Sequence, residues 1–394
     1  MKKTAVLLLL ASAVILCGKE IFVDYSCKVN GDGSNRHSFR NFASAVKTAG
    51  PGDCIKILPV DFVIADSIVI KNFAGDKNNP LTVDGSFNTF TGVEPASGKA
   101  WIQQSPGLWK RQLRTSRGLA GRYFLVIDNH IERMGRFFKA KGAAKYKKIE
   151  DLAVNQWTMT VEPGSAKGNT LLYNIYLKLD PGCKSPADAG VLEPQHHRTN
   201  GVDLSGKSSG IIIKNIICRN FWNDGFNIHN RVTSTLFDTV CAIDCGDDGI
   251  SAHEKCEISV RNFLSYGNST GICHVNQAVC SHTNVYIDSA LGREIYLKGV
   301  AENMTDCRFF NVYVKTSSAG GVTLGAGAGK ITVDNMTIVF TQDAGSFDHP
   351  AFKGGKSSIS RLYILRKEPE KMVKFRKELL AKFQGKVEKQ LQSR

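Results

Sequence analysis

Despite eleven cysteines, the chain has no CxxC pair and no Cys/His spacing of the kind that holds zinc or an iron–sulfur cluster. Beyond its first residues no stretch approaches the roughly 20 apolar residues a bilayer requires, so the body of the chain carries no helical membrane span. No recognisable nucleic-acid-binding motif is present. Acidic residues are the scarcer sign, 36 Asp and Glu against 51 Lys and Arg, which points to an acidic partner rather than a basic one. Wholesale disorder is excluded by composition, because 42% of residues are hydrophobic and only 22% are charged.

What is present begins with an export signal over residues 1–18. Lys2 and Lys3 precede the apolar run Ala5 to Leu10, which continues to Leu16, and Ala11-Ser12-Ala13 offers a small-residue cleavage site. Cys17-Gly18 adds the alternative of a lipoprotein anchor. The protein is therefore expected to be secreted, periplasmic or held at the cell surface. Among the remaining cysteines, Cys27 and Cys54 are a candidate disulfide, whereas Cys218 and Cys241, 23 residues apart, read as stacked buried thiols in one register.

A chain of 394 residues exceeds what one compact core usually serves, and a solenoid escapes that limit because each repeat buries its apolar face only against its neighbours. The repeat is visible from residue 199. Asn200-Gly201-Val202-Asp203-Leu204, Asp224-Gly225-Phe226-Asn227-Ile228, Asp248-Gly249-Ile250-Ser251-Ala252 and Thr270-Gly271-Ile272-Cys273-His274 align on glycines spaced 24, 24 and 22 residues apart. Apolar residues one and three positions after each glycine give the period-2 alternation of a strand with one buried face. Val202, Phe226, Ile250 and Ile272 should stack in the core. A second ladder follows in step, with Asn215, Asp238 and Asn262 expected at one turn. The fold expected is a single-stranded, right-handed parallel β-helix. Residues 19–83 form an N-terminal cap and first coils, 84–195 an inserted β-rich subdomain, 196–365 the main coils and 366–394 a basic amphipathic helix. That last segment carries ten Lys or Arg against four Glu, with Met372, Phe375, Leu379, Phe383, Val387 and Leu391 at helical spacing.

Stacked coils turn sequence positions into surface columns. The column before the glycine reads Asn200, Asp224, Asp248 and Thr270, and Asp247 adds a third carboxylate to one small patch. Carboxylates so close repel one another, and the fold tolerates this only where protons, cations or basic groups relieve it, which makes the patch a functional candidate. A second outward column reads Ser205, His229, His253 and Val275, with Glu254 beside His253. His253 and Glu254 offer an acid/base pair or a sugar subsite. The run His196-His197-Arg198 reads as loop decoration.

Trp222-Asn223-Asp224-Gly225 followed by Gly246-Asp247-Asp248-Gly249 resembles the paired aspartate motifs of the polygalacturonase family of glycoside hydrolases. The resemblance implies that Asp247 is the general acid, while Asp224 and Asp248 position water for inversion. The chain departs from that family where a histidine is expected on the next coil, here Thr270, and its Arg-x-Lys motif has only a loose counterpart in Arg293 and Lys298. Most of the chain resembles, more broadly, the right-handed β-helix proteins of bacterial glycan degradation, the pectin-lyase-like superfamily. Its short N-terminal helix and the segment from Trp157 to Gly182 are similar to theirs.

These readings converge on a monomeric carbohydrate-active enzyme that hydrolyses a polysaccharide, acidic in keeping with the net charge. Asp224, Asp247 and Asp248 are its catalytic candidates, and His229, His253, Glu254, Arg293 and Lys298 its substrate-binding candidates, with no metal or other cofactor. The alternatives are a Ca²⁺-dependent polysaccharide lyase, in which the aspartates hold the ion and a Lys or Arg abstracts the proton, and a non-catalytic glycan-binding β-helix.

Overall fold

The structure, a computed structural model, describes residues 18–134, 145–288, 290–298, 306–316, 321–341 and 351–392, with side chains described except at 326–328 and 351–356. The segment read as an export signal, with Cys17, lies outside the described residues. Among those described, no helix is long and apolar enough to cross a membrane.

The chain winds into a parallel β-solenoid of about 11 turns. One ladder carries the glycine-marked strands Val202–Ser205, Phe226–Ile228, Asp248–Ala252 and Thr270–Val275, with Ile68–Lys71 on the preceding coil and Arg293–Lys298 on the following one. Its pairing is Val202 to Phe226, Phe226 to Ile250 and Ile250 to Ile272, the apolar column that the glycine alignment predicts, and it continues from Ile272 to Ile295 on a coil with Glu294 in place of the glycine. Each of these side chains is fully buried, a gain of about 1.5–3 kcal/mol for a side chain of this size. The glycines have a steric cause. A Cβ at Gly225 would lie 2.7 Å from the Ala242 Cβ and 2.8 Å from the Gly249 carbonyl oxygen, so the chain can round this corner only without a side chain.

The second ladder runs from Leu81–Thr91 through Lys207–Arg219, Arg231–Ile243, Glu257–Tyr266, Val279–Asp288 and Asp306–Thr316 into Val322–Phe340. Two expectations shift here by one residue. Cys218 pairs with Ala242 and faces the core, whereas Cys241 pairs with Ile217 and faces outward under the C-terminal helices. At the turn, the left-handed position is held by Asn215, Thr239, Asn262, Asn284, Asn311 and Asn335; Asp238 sits one place earlier and accepts from Asn262 Nδ2 at 2.9 Å. Asparagine recurs because it tolerates positive φ and its amide bonds the next coil, as in Asn311 Nδ2 to Asn284 Oδ1 at 2.7 Å.

A short helix, Phe42–Val46, capped by Asn41, buries Phe42 and Ala45 in the first coils. Residues 93–194 supply two four-stranded antiparallel sheets that share a separate core of Trp101, Trp109, Trp157 and Tyr123, into which Trp222 of the solenoid inserts. The C-terminal segment forms two helices, Glu370–Ala381 and Lys386–Gln392, parted at Gln384 and Gly385, both with positive φ. Met372, Leu379, Phe383 and Val387 lie along the side of the solenoid against Ile217, Cys241, Leu264 and Tyr286. Cys27 and Cys54 are both free.

Candidate functional site

The glycine register places Asp224 and Asp248 at equivalent positions of adjacent coils, and continues that column through Thr270 to Arg293. Asp247 joins them, so that the three side chains bring carboxylate oxygens within 4.8 Å of one another. All three are buried, with 1–2% of their surface exposed. Their environment is built from two directions. Within the solenoid, the Asp248 backbone N–H donates to Asp224 Oδ1 at 3.0 Å, and the Asp224 N–H donates to Asn200 Oδ1 at 3.2 Å. From the inserted subdomain, the Arg122 guanidinium pairs with Asp247 Oδ2 at 2.7 Å and also bonds Asn223 Oδ1.

The subdomain is held to this corner by further contacts. Trp222 Nε1 donates to the Leu119 carbonyl at 2.7 Å, and Arg133 donates to the carbonyls of Cys245 and Gly267 at 2.8 and 2.9 Å. Arg122 and Arg133 come from a part of the chain with no repeat, so no spacing in the sequence links them to the aspartates.

The second cluster lies toward the other end of the same two strands, five residues further on, roughly 16 Å at the usual rise. His229 and His253 stack across adjacent coils, ring centroids 4.2 Å apart and planes 13° from parallel. His229 Nδ1 lies 3.3 Å from Glu254 Oε2, which also accepts from the Asn230 N–H at 2.7 Å, and Ser251 Oγ is hydrogen-bonded to His253 Nε2 at 2.8 Å. This cluster is partly open, the His229 and Glu254 side chains being 35% and 43% exposed. Lys298 occupies the same column two coils on, after Val275. Arg293 belongs to the aspartate column and lies over the Tyr296 ring at 4.6 Å. His196 packs against Trp222, and Arg198 pairs with Glu94 and bonds the Ala65 carbonyl, so this run braces the junction of subdomain and solenoid.

Two features escape sequence reasoning. His274, inward as its register requires, meets His282 from the opposite ladder, Nε2 to Nε2 at 2.8 Å, and both are buried in the solenoid. The Ala252 N–H donates to His274 Nδ1 at 3.1 Å. The His274 proton therefore sits on Nε2 and is given to His282 Nε2, which leaves the His282 proton on Nδ1, where no acceptor is found among the described residues. Burial holds His274 at a pKa of about 3 and His282 well below the usual imidazole range. The other feature is a concavity of about 260 Å³ on the outer side of the second ladder, lined by Glu257, Ser259, Ser281, Asp306, Arg308 and Lys330.

Fold and site together define a parallel β-helix bearing a carboxylate cluster and a histidine–glutamate cluster on one face. No protein-family model matches the chain, and a search of curated proteins finds no match. Solved structures with a similar chain course include XylC in complex with xylose (9% identity, TM-score 0.47, covering 89% of this chain and 86% of that one). Pectate lyase Pel9A (12%, 0.42, 89% and 79%) and a rhamnogalacturonan lyase (9%, 0.33, 88% and 87%) are similar as well.

Proposed function

We propose that the chain is an exported carbohydrate-active enzyme that cleaves a polysaccharide laid across the coils of its glycine-marked face. The observation that carries this reading is the alignment of both clusters on the same pair of adjacent strands, Phe226–Ile228 and Asp248–Ala252, with their flanking residues. A polymer running across the coils meets equivalent side chains about every 4.8 Å. Arg293 and Lys298 then extend the two columns and offer cations to an acidic sugar.

The reaction best supported is hydrolysis by the carboxylates. Asp247 is held as an anion by Arg122 and is a poor proton donor, so the acid role that the motif resemblance gives it passes to Asp224 and Asp248. Two carboxyl groups this close favour sharing one proton, which makes one of them an acid and the other a base.

Elimination is the second reading, and one measurement favours it. Inverting hydrolases keep their carboxyl groups about 6.5–9.5 Å apart, whereas oxygens within 4.8 Å of one another suit ligands of one Ca²⁺ at about 2.3–2.6 Å. Asp224, Asp247 and Asp248 would hold the ion, which would supply charge neutralisation for a uronate, and Arg293 stands in the same column as a candidate base.

The products decide. Purified protein is incubated with neutral, uronate-containing and sulfated glycans, with and without chelator, while reducing ends and ultraviolet absorbance are followed. Hydrolysis gives new reducing ends without absorbance and is indifferent to chelator. An absorbing, chelator-sensitive product would transfer the assignment to elimination, and no product from any glycan would refute the enzymatic reading.

A further inference from the structure

We propose that His229, His253 and Glu254 form a binding site for a borderline divalent transition metal, of which Zn²⁺ is the fitting probe. The inference rests on ligand geometry and not on the glycan reading.

One ligand atom from each of the three residues lies within 4.8 Å of the other two. Two imidazoles and one carboxylate are the donor set of open Zn²⁺ sites, with bonds of about 2.0–2.2 Å and further positions left to water. Tetrahedral bonds of that length place ligand atoms about 3.3 Å apart. His229 Nδ1 and Glu254 Oε2 already stand at 3.3 Å. The His229 and His253 rings are stacked 4.2 Å apart and 13° from parallel, so their in-plane lone pairs do not converge as they stand, and ligation requires the partly open His229 ring to swing out of the stack.

The backbone supplies an independent observation. Glu254 adopts φ +52, in the left-handed region, where the neighbouring coils carry Gly206, Asn230 and Asn276. Glycine and asparagine are the residues that tolerate this conformation, whereas a glutamate there is strained. The conformation turns the carboxylate back along the solenoid axis onto the preceding coil, where Oε2 meets both the Asn230 N–H and His229 Nδ1. Ser251 Oγ engages His253 Nε2, the kind of outer contact that fixes a metal-ligating ring, so that His253 would ligate through Nδ1. The repeat supplies the rest, since equivalent positions on successive coils bring two histidines 24 residues apart into one stack.

The test is a titration of untagged, chelator-treated full-length protein with ZnCl₂, followed by calorimetry and by thermal unfolding. One Zn²⁺ should bind per chain with a dissociation constant in the micromolar range or tighter, and should raise the melting temperature. His229→Gln and Glu254→Gln should each weaken binding at least tenfold. Asp248→Asn should leave it unchanged, and Ca²⁺ should not compete. Absence of saturable Zn²⁺ binding would overturn the proposal. So would binding kept by the His229→Gln/Glu254→Gln double variant, or binding lost in Asp248→Asn while the protein remains folded.

Discussion

The two ends of the strands Phe226–Ile228 and Asp248–Ala252 carry groups of similar chemical promise in opposite settings. At one end Asp224, Asp247 and Asp248 are almost wholly buried and tied to Arg122 of the inserted subdomain; at the other His229, His253 and Glu254 are partly open and braced by one another. The same register builds both, so the contrast comes from what covers each end. A buried ionic group is held by its partners at a desolvation cost, and an exposed one is held loosely at little cost. The first arrangement orients carboxylates firmly, and the second leaves its side chains open to solvent.

The contrast is most sharply broken at Arg122. Arg122→Met removes the cation and leaves Asp247 buried beside two other carboxylates, which should destabilise the fold by about 3–5 kcal/mol in urea unfolding. Arg122→Met/Asp247→Asn should recover much of that loss. If the single variant were as stable as the parent, the subdomain would not be what holds this cluster.

Next in size is the interior histidine pair. Folded, His274 and His282 stay neutral far below the pH at which unfolded histidine takes up a proton, about 6.5. Below that value the unfolded chain binds more protons, so stability falls as the pH falls, by about 2 kcal/mol per histidine between pH 7 and 5. His274→Leu/His282→Phe uses residues that the same inward columns carry as Leu297 and Phe309. Its unfolding free energy should decline less over this range by about 4 kcal/mol, the two contributions together, measured by denaturation at each pH. Parallel profiles for parent and variant would show that the pair is not held neutral.

The smallest expected change is at the open end. His253→Ala should cost less than about 1 kcal/mol, because the interactions it removes are surface contacts. A loss as large as that from Arg122→Met would make the two clusters structurally alike and remove the contrast.

What the sequence reveals follows the physics of the repeat. Glycines mark the corners of these coils because a Cβ does not fit there, so their spacing carries the register, and the columns through Asp224, Asp248 and Thr270 and through His229 and His253 can be read from it; the next coil has Glu294 in place of the glycine, so the position of Arg293 in the first column is not legible. The second ladder has no such marker. Matching residue types then slips by one, as with Cys218 and Cys241, or Asn215 and Asp238, because a coil there can differ by one residue from the spacing between like side chains. Burial of the aspartates is not legible at all, since it depends on two contacts across a subdomain junction, Arg122 with Asp247 and Trp222 with the Leu119 carbonyl. Nor is the His274–His282 contact, which joins two ladders across the solenoid interior.

The claim that the carboxylate cluster is the reactive centre is tested most directly by turnover on whichever glycan the product assay identifies. Asp224→Asn and Asp248→Asn keep the shape of each side chain and remove its proton chemistry. Each should lower turnover at least about a hundredfold, the lower bound for general acid–base catalysis, with unfolding still cooperative and the melting temperature equal or higher. Wild-type turnover in both variants would contradict the account and place the chemistry elsewhere on this face.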